Sequence, residues 1–128
     1  MNTKQTGDIG VAKAIYYYTA LGYTVSIPNT DNAKYDLIVD NGKLLRVQVK
    51  TTSYKVKSGS YQANLKTCGG NQSWSGIVKY IVASDTDLAL IVCDDGSMYE
   101  FPSNVIAGKT NVTLGEKYNK YKVALDRW

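Results

Sequence analysis

The stretch YDLIVDNGKLLRVQVKTT, residues 35–52, decides the reading of the fold. Tyr35 to Val39 is mostly apolar and reads as a strand of the buried kind. Asp40-Asn41-Gly42 is a strong hairpin turn, because Asn-Gly accepts the positive φ angles such turns require. Lys43 to Thr51 is then the returning strand. Along it Leu45, Val47 and Val49 face one side, and Leu44, Arg46, Gln48 and Lys50 face the other, since side chains alternate on a strand.

Gln48 and Lys50 therefore project together, and Asp36 can lie near them if the register across the turn permits. A carboxylate, an amide oxygen and a lysine on one face suit a hard divalent cation beside a phosphate. Asp36 and Gln48 would bind Mg²⁺, with the Val49 carbonyl as a further ligand at the strand edge. Lys50 would steady the attacking water or the charge developing on phosphorus. The same side chains on an exposed polar sheet face need no ligand, and spacing alone favours that plainer reading.

Outward from the hairpin, Asp8 to Leu21 reads as a helix with apolar residues at three- to four-residue spacing and Gly22 as terminator. Tyr23 to Ile27 reads as a short strand, and so does Tyr61 to Lys66. Thr52 to Ser60 and Cys68 to Ser73 read as loops. Leu88 to Cys93 is the most apolar run, turned by Asp94-Asp95-Gly96-Ser97 into Met98 to Phe101, after which Pro102-Ser103 opens a short helix through Ile106. One helix followed by strands with tight hairpins and little further helix predicts an α+β sheet domain. The tail beyond Ile106 carries no clear pattern. At 128 residues the chain is expected to be one domain, residues 1–128, large enough to bury about two-thirds of its unfolded surface.

The chain has no histidine, which excludes a Ser-His-Asp triad, a histidine-ligated zinc, a Cys-His nucleophile and a histidine-dependent nuclease of the HNH kind. Two cysteines, Cys68 and Cys93, are too few for a zinc site and are expected as free buried thiols. No run approaches the roughly 20 apolar residues of a membrane span, and no signal-peptide core opens the chain, so an intracellular, soluble protein without membrane contact is expected.

The formal net charge is +4, unevenly distributed. Residues 41–82 hold seven bases and no acid, residues 83–104 five acids and no base, and the tail turns basic again. The acid-free stretch, interleaved with Tyr54, Tyr61, Trp74 and Tyr80, reads either as a phosphate-binding surface or as a solvated face. Lys34 and Arg46 stand under the same two readings. Tyr54, Tyr61 and Trp74 are candidates for stacking on bases, whereas Tyr16-Tyr17-Tyr18 cannot share one helix face and is expected to serve packing.

Tyr35-Asp36 followed by Val47-Gln48-Val49-Lys50-Thr51 resembles the signature of PD-(D/E)XK nucleases, and more narrowly the homing endonucleases associated with group I introns, in which glutamine replaces the second acid. Thr6-Gly7-Asp8-Ile9-Gly10 opening a helix, Gly22-Tyr23-Thr24-Val25 after it, Asp87-Leu88-Ala89-Leu90 and Phe101-Pro102 extend the resemblance over nearly the whole chain. It implies a restriction-endonuclease-like core: a central mixed sheet, an N-terminal helix packed on it, and a β-hairpin carrying the catalytic residues Asp36, Gln48 and Lys50. It further implies a Mg²⁺-dependent (or Mn²⁺-dependent) site-specific endonuclease acting on double-stranded DNA as a homo-oligomer, dimer or tetramer. Lys34, Arg46, Thr52, Tyr54, Lys55, Lys57, Lys66 and Trp74 would then face DNA. One departure stands out. The family's helix glutamate corresponds to Val11, and Asp8, three residues earlier on roughly the same helix face, is the candidate to replace it as metal ligand. Without that carboxylate one alternative is a catalytically impaired DNA-binding protein of the same fold; another, sharing the fold and chemistry, is a Holliday-junction resolvase.

Overall fold

The computed structural model describes residues 1–68 and 78–128. Helix α1 runs over Thr3–Ala20, five residues longer at its start than apolar spacing predicts. The extension is a capping effect. The Asn2 side chain accepts from Gln5 N–H at 2.8 Å, and the Gln5 side chain accepts from Asn2 N–H at 2.9 Å. This reciprocal pair satisfies backbone donors that an uncapped first turn would leave to water. At the other end Gly22 takes φ +88°, as a terminating glycine should.

The described strands are β1 (Thr24–Ser26), β2 (Leu37–Asp40), β3 (Leu44–Thr52), β4 (Gln62–Asn64), β5 (Thr67–Cys68), β6 (Val78–Lys79), β7 (Leu88–Cys93), β8 (Met98–Pro102), β9 (Asn111–Thr113) and β10 (Lys122–Val123). A short helix α2 covers Ser103–Ile106, and a 3₁₀ helix covers Glu116–Tyr121. Among the described residues a six-stranded sheet has the order β1-β2-β3-β7-β8-β10. Its β3–β7 pair is parallel and its other pairs are antiparallel, so the expected mixed sheet is the one observed. β4 and β9 form a separate antiparallel ribbon, as do β5 and β6. Cys68 thus belongs to a strand and not to a loop. Its side chain, with residues 69–77 and therefore Trp74, lies outside the described residues.

The hairpin falls where the sequence put it. Asp40 pairs with Leu44, and Gly42 adopts φ +102° while the Asp40 carboxylate accepts its N–H at 2.9 Å. The alternation along β3 also holds. Val47 and Val49 pack into an apolar cluster with Ala14, Tyr17, Tyr18, Leu90 and Val92 on the α1 side. On the other face Ala89, Ile91, Cys93 and Phe101 join Ala63, Leu65, Ile106 and Val112. Strand β7 feeds both clusters, which explains why its sequence is apolar without alternation.

Of the three consecutive tyrosines, Tyr17 and Tyr18 are buried and Tyr16 is exposed. The Tyr18 hydroxyl donates to Glu100 at 2.7 Å, and burial beside that carboxylate drives its pKa far upward. Cys93 is a buried free thiol whose pKa burial also raises.

Gly10 sets how close α1 lies to the sheet. A Cβ at this position would overlap Thr51 Cγ2, whereas one at Gly7 would meet nothing within 4 Å. Gly7→Ala should therefore stabilise the protein by up to about 1 kcal/mol through helix propensity. Gly10→Ala should destabilise it by about 1–3 kcal/mol through overpacking. Urea denaturation of both variants, and of Gly10→Ala combined with Thr51→Ser, checks this; the double variant should recover much of the loss.

Candidate active site

Strand β2 stops one residue short of Asp36, because the ladder with β3 ends at the Leu37–Val47 pair. Asp36 still donates its N–H to the Val47 carbonyl at 2.8 Å. The next donor along that edge, Val49 N–H, is met at 2.7 Å by Asp36 Oδ2 instead of a backbone carbonyl. The side chain thus replaces the missing strand residue and is fixed in position by doing so. A residue's N–H and C=O point to the same strand edge, so the Val49 carbonyl faces the side on which Asp36 sits.

Gln48 and Lys50 pair in parallel with Ala89 and Ile91, on the face turned away from α1. Burial raises the Asp36 pKa, opposed by the Val49 N–H and by the charge of Lys50. Burial lowers the Lys50 pKa, opposed by Asp36. For both groups desolvation outweighs mutual attraction, so the charged form of each is less favoured than it would be in water. Among the described residues Asp36 Oδ1 has no hydrogen-bond donor. That oxygen, the Gln48 amide oxygen and the Val49 carbonyl are hard donors of the kind Mg²⁺ takes, and they fit a cation that completes its shell with water and substrate oxygens.

Other predicted residues are placed elsewhere. The Asp8 side chain is two-thirds exposed and pairs with Lys4 at 3.1 Å. Being two residues from Gly10, it points about 200° around the helix from the sheet contact and does not join Asp36. Val11, where the resemblance implies a glutamate, packs against the apolar cluster under α1. Among the described residues no three His, Cys, Asp or Glu side chains converge to hold a metal.

The Arg46 guanidinium is occupied. It forms a two-pronged pair with Asp87, both contacts 3.1 Å, and donates to the Ser84 carbonyl at 2.8 Å. The pairing holds the Asp87 carboxyl below the usual carboxylate range and raises Arg46. Thr52 is buried, and its hydroxyl donates to the Gln62 carbonyl at 2.6 Å. Both residues are therefore framework, not free DNA-facing groups. Lys34 is exposed but sits 3.8 Å from Asp85. Tyr54, Lys55, Lys57 and Lys66 are exposed, with the Lys55 ammonium 4.8 Å from the centre of the Tyr61 ring. Sequence reasoning placed Asp87 only within a motif of the resemblance and missed its pairing with Arg46, 41 residues away in the chain. No local spacing signals such a pair.

A helix-backed mixed sheet with an Asp and a Gln-x-Lys pair at the junction of two antiparallel strands is the framework of a nuclease. The chain belongs to the PD-(D/E)XK endonuclease family, whose model matches residues 1–124. It is 31% identical over 121 residues to Protein 5.3 of Escherichia phage T7, covering 92% of this chain and 95% of that protein. The solved structure of a bacterial homing endonuclease, I-Ssp6803I, superposes with a TM-score of 0.74 at 25% identity, covering 99% of this chain and 82% of that one.

The raised Asp36 pKa has a defined sign for stability. Between the ordinary carboxylate value and the raised one, the folded protein binds more protons than the unfolded chain, so stability falls as pH rises through that window. Asp36→Asn should consequently melt higher than the native protein at pH 7. The gap should close as pH falls below about 4, where the native carboxyl is protonated in both states. Thermal melts across this range provide the measurement.

Proposed function

We propose that the chain is a Mg²⁺-dependent (or Mn²⁺-dependent), site-specific DNA endonuclease of the intron-homing type, acting as one nuclease domain over residues 1–128 and as a homo-oligomer on double-stranded DNA. The observation that carries the reading is the Asp36 carboxylate, fixed through one oxygen by Val49 N–H with the other left open beside the Gln48–Lys50 face. Asp36, Gln48 and the Val49 carbonyl would hold the cation, which when bound supplies Lewis-acid neutralisation of charge at the phosphodiester. Lys50, half-buried and poorly solvated, orients the attacking water or stabilises negative charge growing on the phosphate, where low dielectric strengthens its field. Asp8 has no part in this scheme.

The homing reading draws support from the fold match to I-Ssp6803I, and an intracellular place of action from the phage origin of the 31% identical relative. Among the described residues no helix is long and apolar enough to cross a membrane.

A second reading is favoured by Val11. With that position apolar and Gln48 neutral, Asp36 alone brings formal negative charge among the proposed ligands, so the cation is held weakly until DNA phosphates add their own oxygens. In that case the protein binds DNA and cuts it poorly.

Nicking of supercoiled plasmid in Mg²⁺ separates the two. The native chain should nick, and Lys50→Ala and Asp36→Ala should each slow the reaction by about 10²-fold or more. Equal rates for Lys50→Ala would overturn the mechanism. A native chain that binds but barely nicks, with Val11→Glu strongly faster, would establish the impaired form. Preferential cutting of four-way junctions over linear duplex would mark a resolvase.

A further inference from the structure

The β4–β9 ribbon stands apart from the catalytic strands, yet it is tied to them. Ala63 and Val112 point inward to the core, while the register places Gln62 opposite Thr113 and Asn64 opposite Asn111 on the outer face. Gln62 Nε2 donates to Thr113 Oγ1 at 2.9 Å, closing that pair on itself. The asparagine pair is different. Asn64 Oδ1 accepts the Lys66 N–H at 2.9 Å, which leaves its amide nitrogen without a partner among the described residues. Asn111 donates to Thr110 Oγ1 at 3.4 Å, a long contact, and its amide oxygen is likewise without a partner among the described residues. Both side chains are exposed.

These residues border an open cavity of about 540 Å³, shared with Thr52, Tyr54, Gln62 and Lys66. No carboxylate is among the residues described as lining it. The cavity is therefore neutral to basic, and the paired asparagines offer it a donor on one strand and an acceptor on the other.

We propose that the outer face of this ribbon reads base edges of duplex DNA, with Asn64 and Asn111 as specificity-determining residues. The proposal rests on the nuclease reading above and deepens it. Asparagine amides match adenine, which presents an acceptor and a donor side by side in the major groove, and that groove admits a two-stranded ribbon. Position supports the same occupant. Thr52 Oγ1 holds the Gln62 carbonyl at 2.6 Å, anchoring the ribbon two residues beyond Lys50. Two strand residues span about 7 Å, or about two nucleotide steps of 3.4 Å. A backbone phosphate at Lys50 thus brings nearby bases over the ribbon, with Lys66 beside them for a neighbouring phosphate.

The test is selection from a randomised duplex pool, run on the full chain and on Asn64→Ala, Asn111→Ala, Asn64→Ser and Lys66→Ala, with plasmid nicking measured in parallel. The native chain should recover a motif. Asn64→Ala and Asn111→Ala should flatten it at particular base pairs, by about tenfold in discrimination, while affinity for unselected duplex stays nearly unchanged. Asn64→Ser keeps a side-chain oxygen for the turn at Lys66, and should lose the same base pairs even if the alanine variant fails to fold. Lys66→Ala should weaken binding to all sequences alike and reduce the salt slope by about one. Variants that recover the native motif with undiminished preference would overturn the assignment and leave the nuclease reading intact; a native chain that nicks plasmid but recovers no motif would overturn the assignment and the site specificity of that reading, leaving only DNA cleavage. A native chain that neither binds duplex nor nicks it would defeat that reading and this assignment with it.

Discussion

Strand β3 has to satisfy two partners with different demands, and most of the structure follows from how it does so. Over its first half it is the return arm of a hairpin, antiparallel to β2. Over its second half it is the parallel neighbour of β7. The changeover occurs near Arg46, where Asp87 accepts both the backbone N–H, at 2.8 Å, and the guanidinium. Asp87 also returns its own N–H to the Arg46 carbonyl at 3.0 Å. Parallel strands have no tight turn to set their register, so a side-chain clamp just before the first paired position, Val47 with Leu88, takes over that task. Gln48 and Lys50 occupy the stretch whose alignment this clamp begins.

The same division of labour explains why Asp36 is well placed and poorly solvated. It lies where β2 has ended and β3 continues, so its carboxylate inherits a backbone donor. Such a group cannot relax toward water without leaving Val49 N–H unpaired, a loss typically worth about 1–3 kcal/mol for a buried donor. Its raised pKa is the electrostatic cost of that position, and sites that hold a charge in this way trade stability for readiness.

Much of the candidate site was legible because it is local. Asp40 to Gly42 announces its turn, the alternation from Leu44 to Lys50 assigns faces, and the Asp36/Gln48/Lys50 grouping follows from hairpin register. The uniformly apolar Leu88 to Cys93 marks a strand covered on both sides. What escaped was set by contacts distant in sequence. Arg46 and Lys34 read as available cations because the acids that meet them, Asp87 and Asp85, belong to another segment. Thr52 read as the start of a loop and as a DNA-facing residue, while in space it ends β3 and bonds the Gln62 carbonyl. Asp8 shares an approximate face with Val11 but points away from the sheet, a distinction visible once Gly10 is seen against Thr51. The ribbon partner of Gln62–Asn64 lies in the tail, where no periodicity marks it.

The outer strands of the described sheet, β1 and β10, are three and two residues long, and β10 begins with Lys122. Such short edges, one of them opened by a lysine, offer few free backbone groups to a strand from another molecule, which is how sheet proteins discourage edge-to-edge growth. The long strands, β3 and β7, are sequestered in the middle. Concentrated protein is thereby guarded against templated growth from the ends of this sheet.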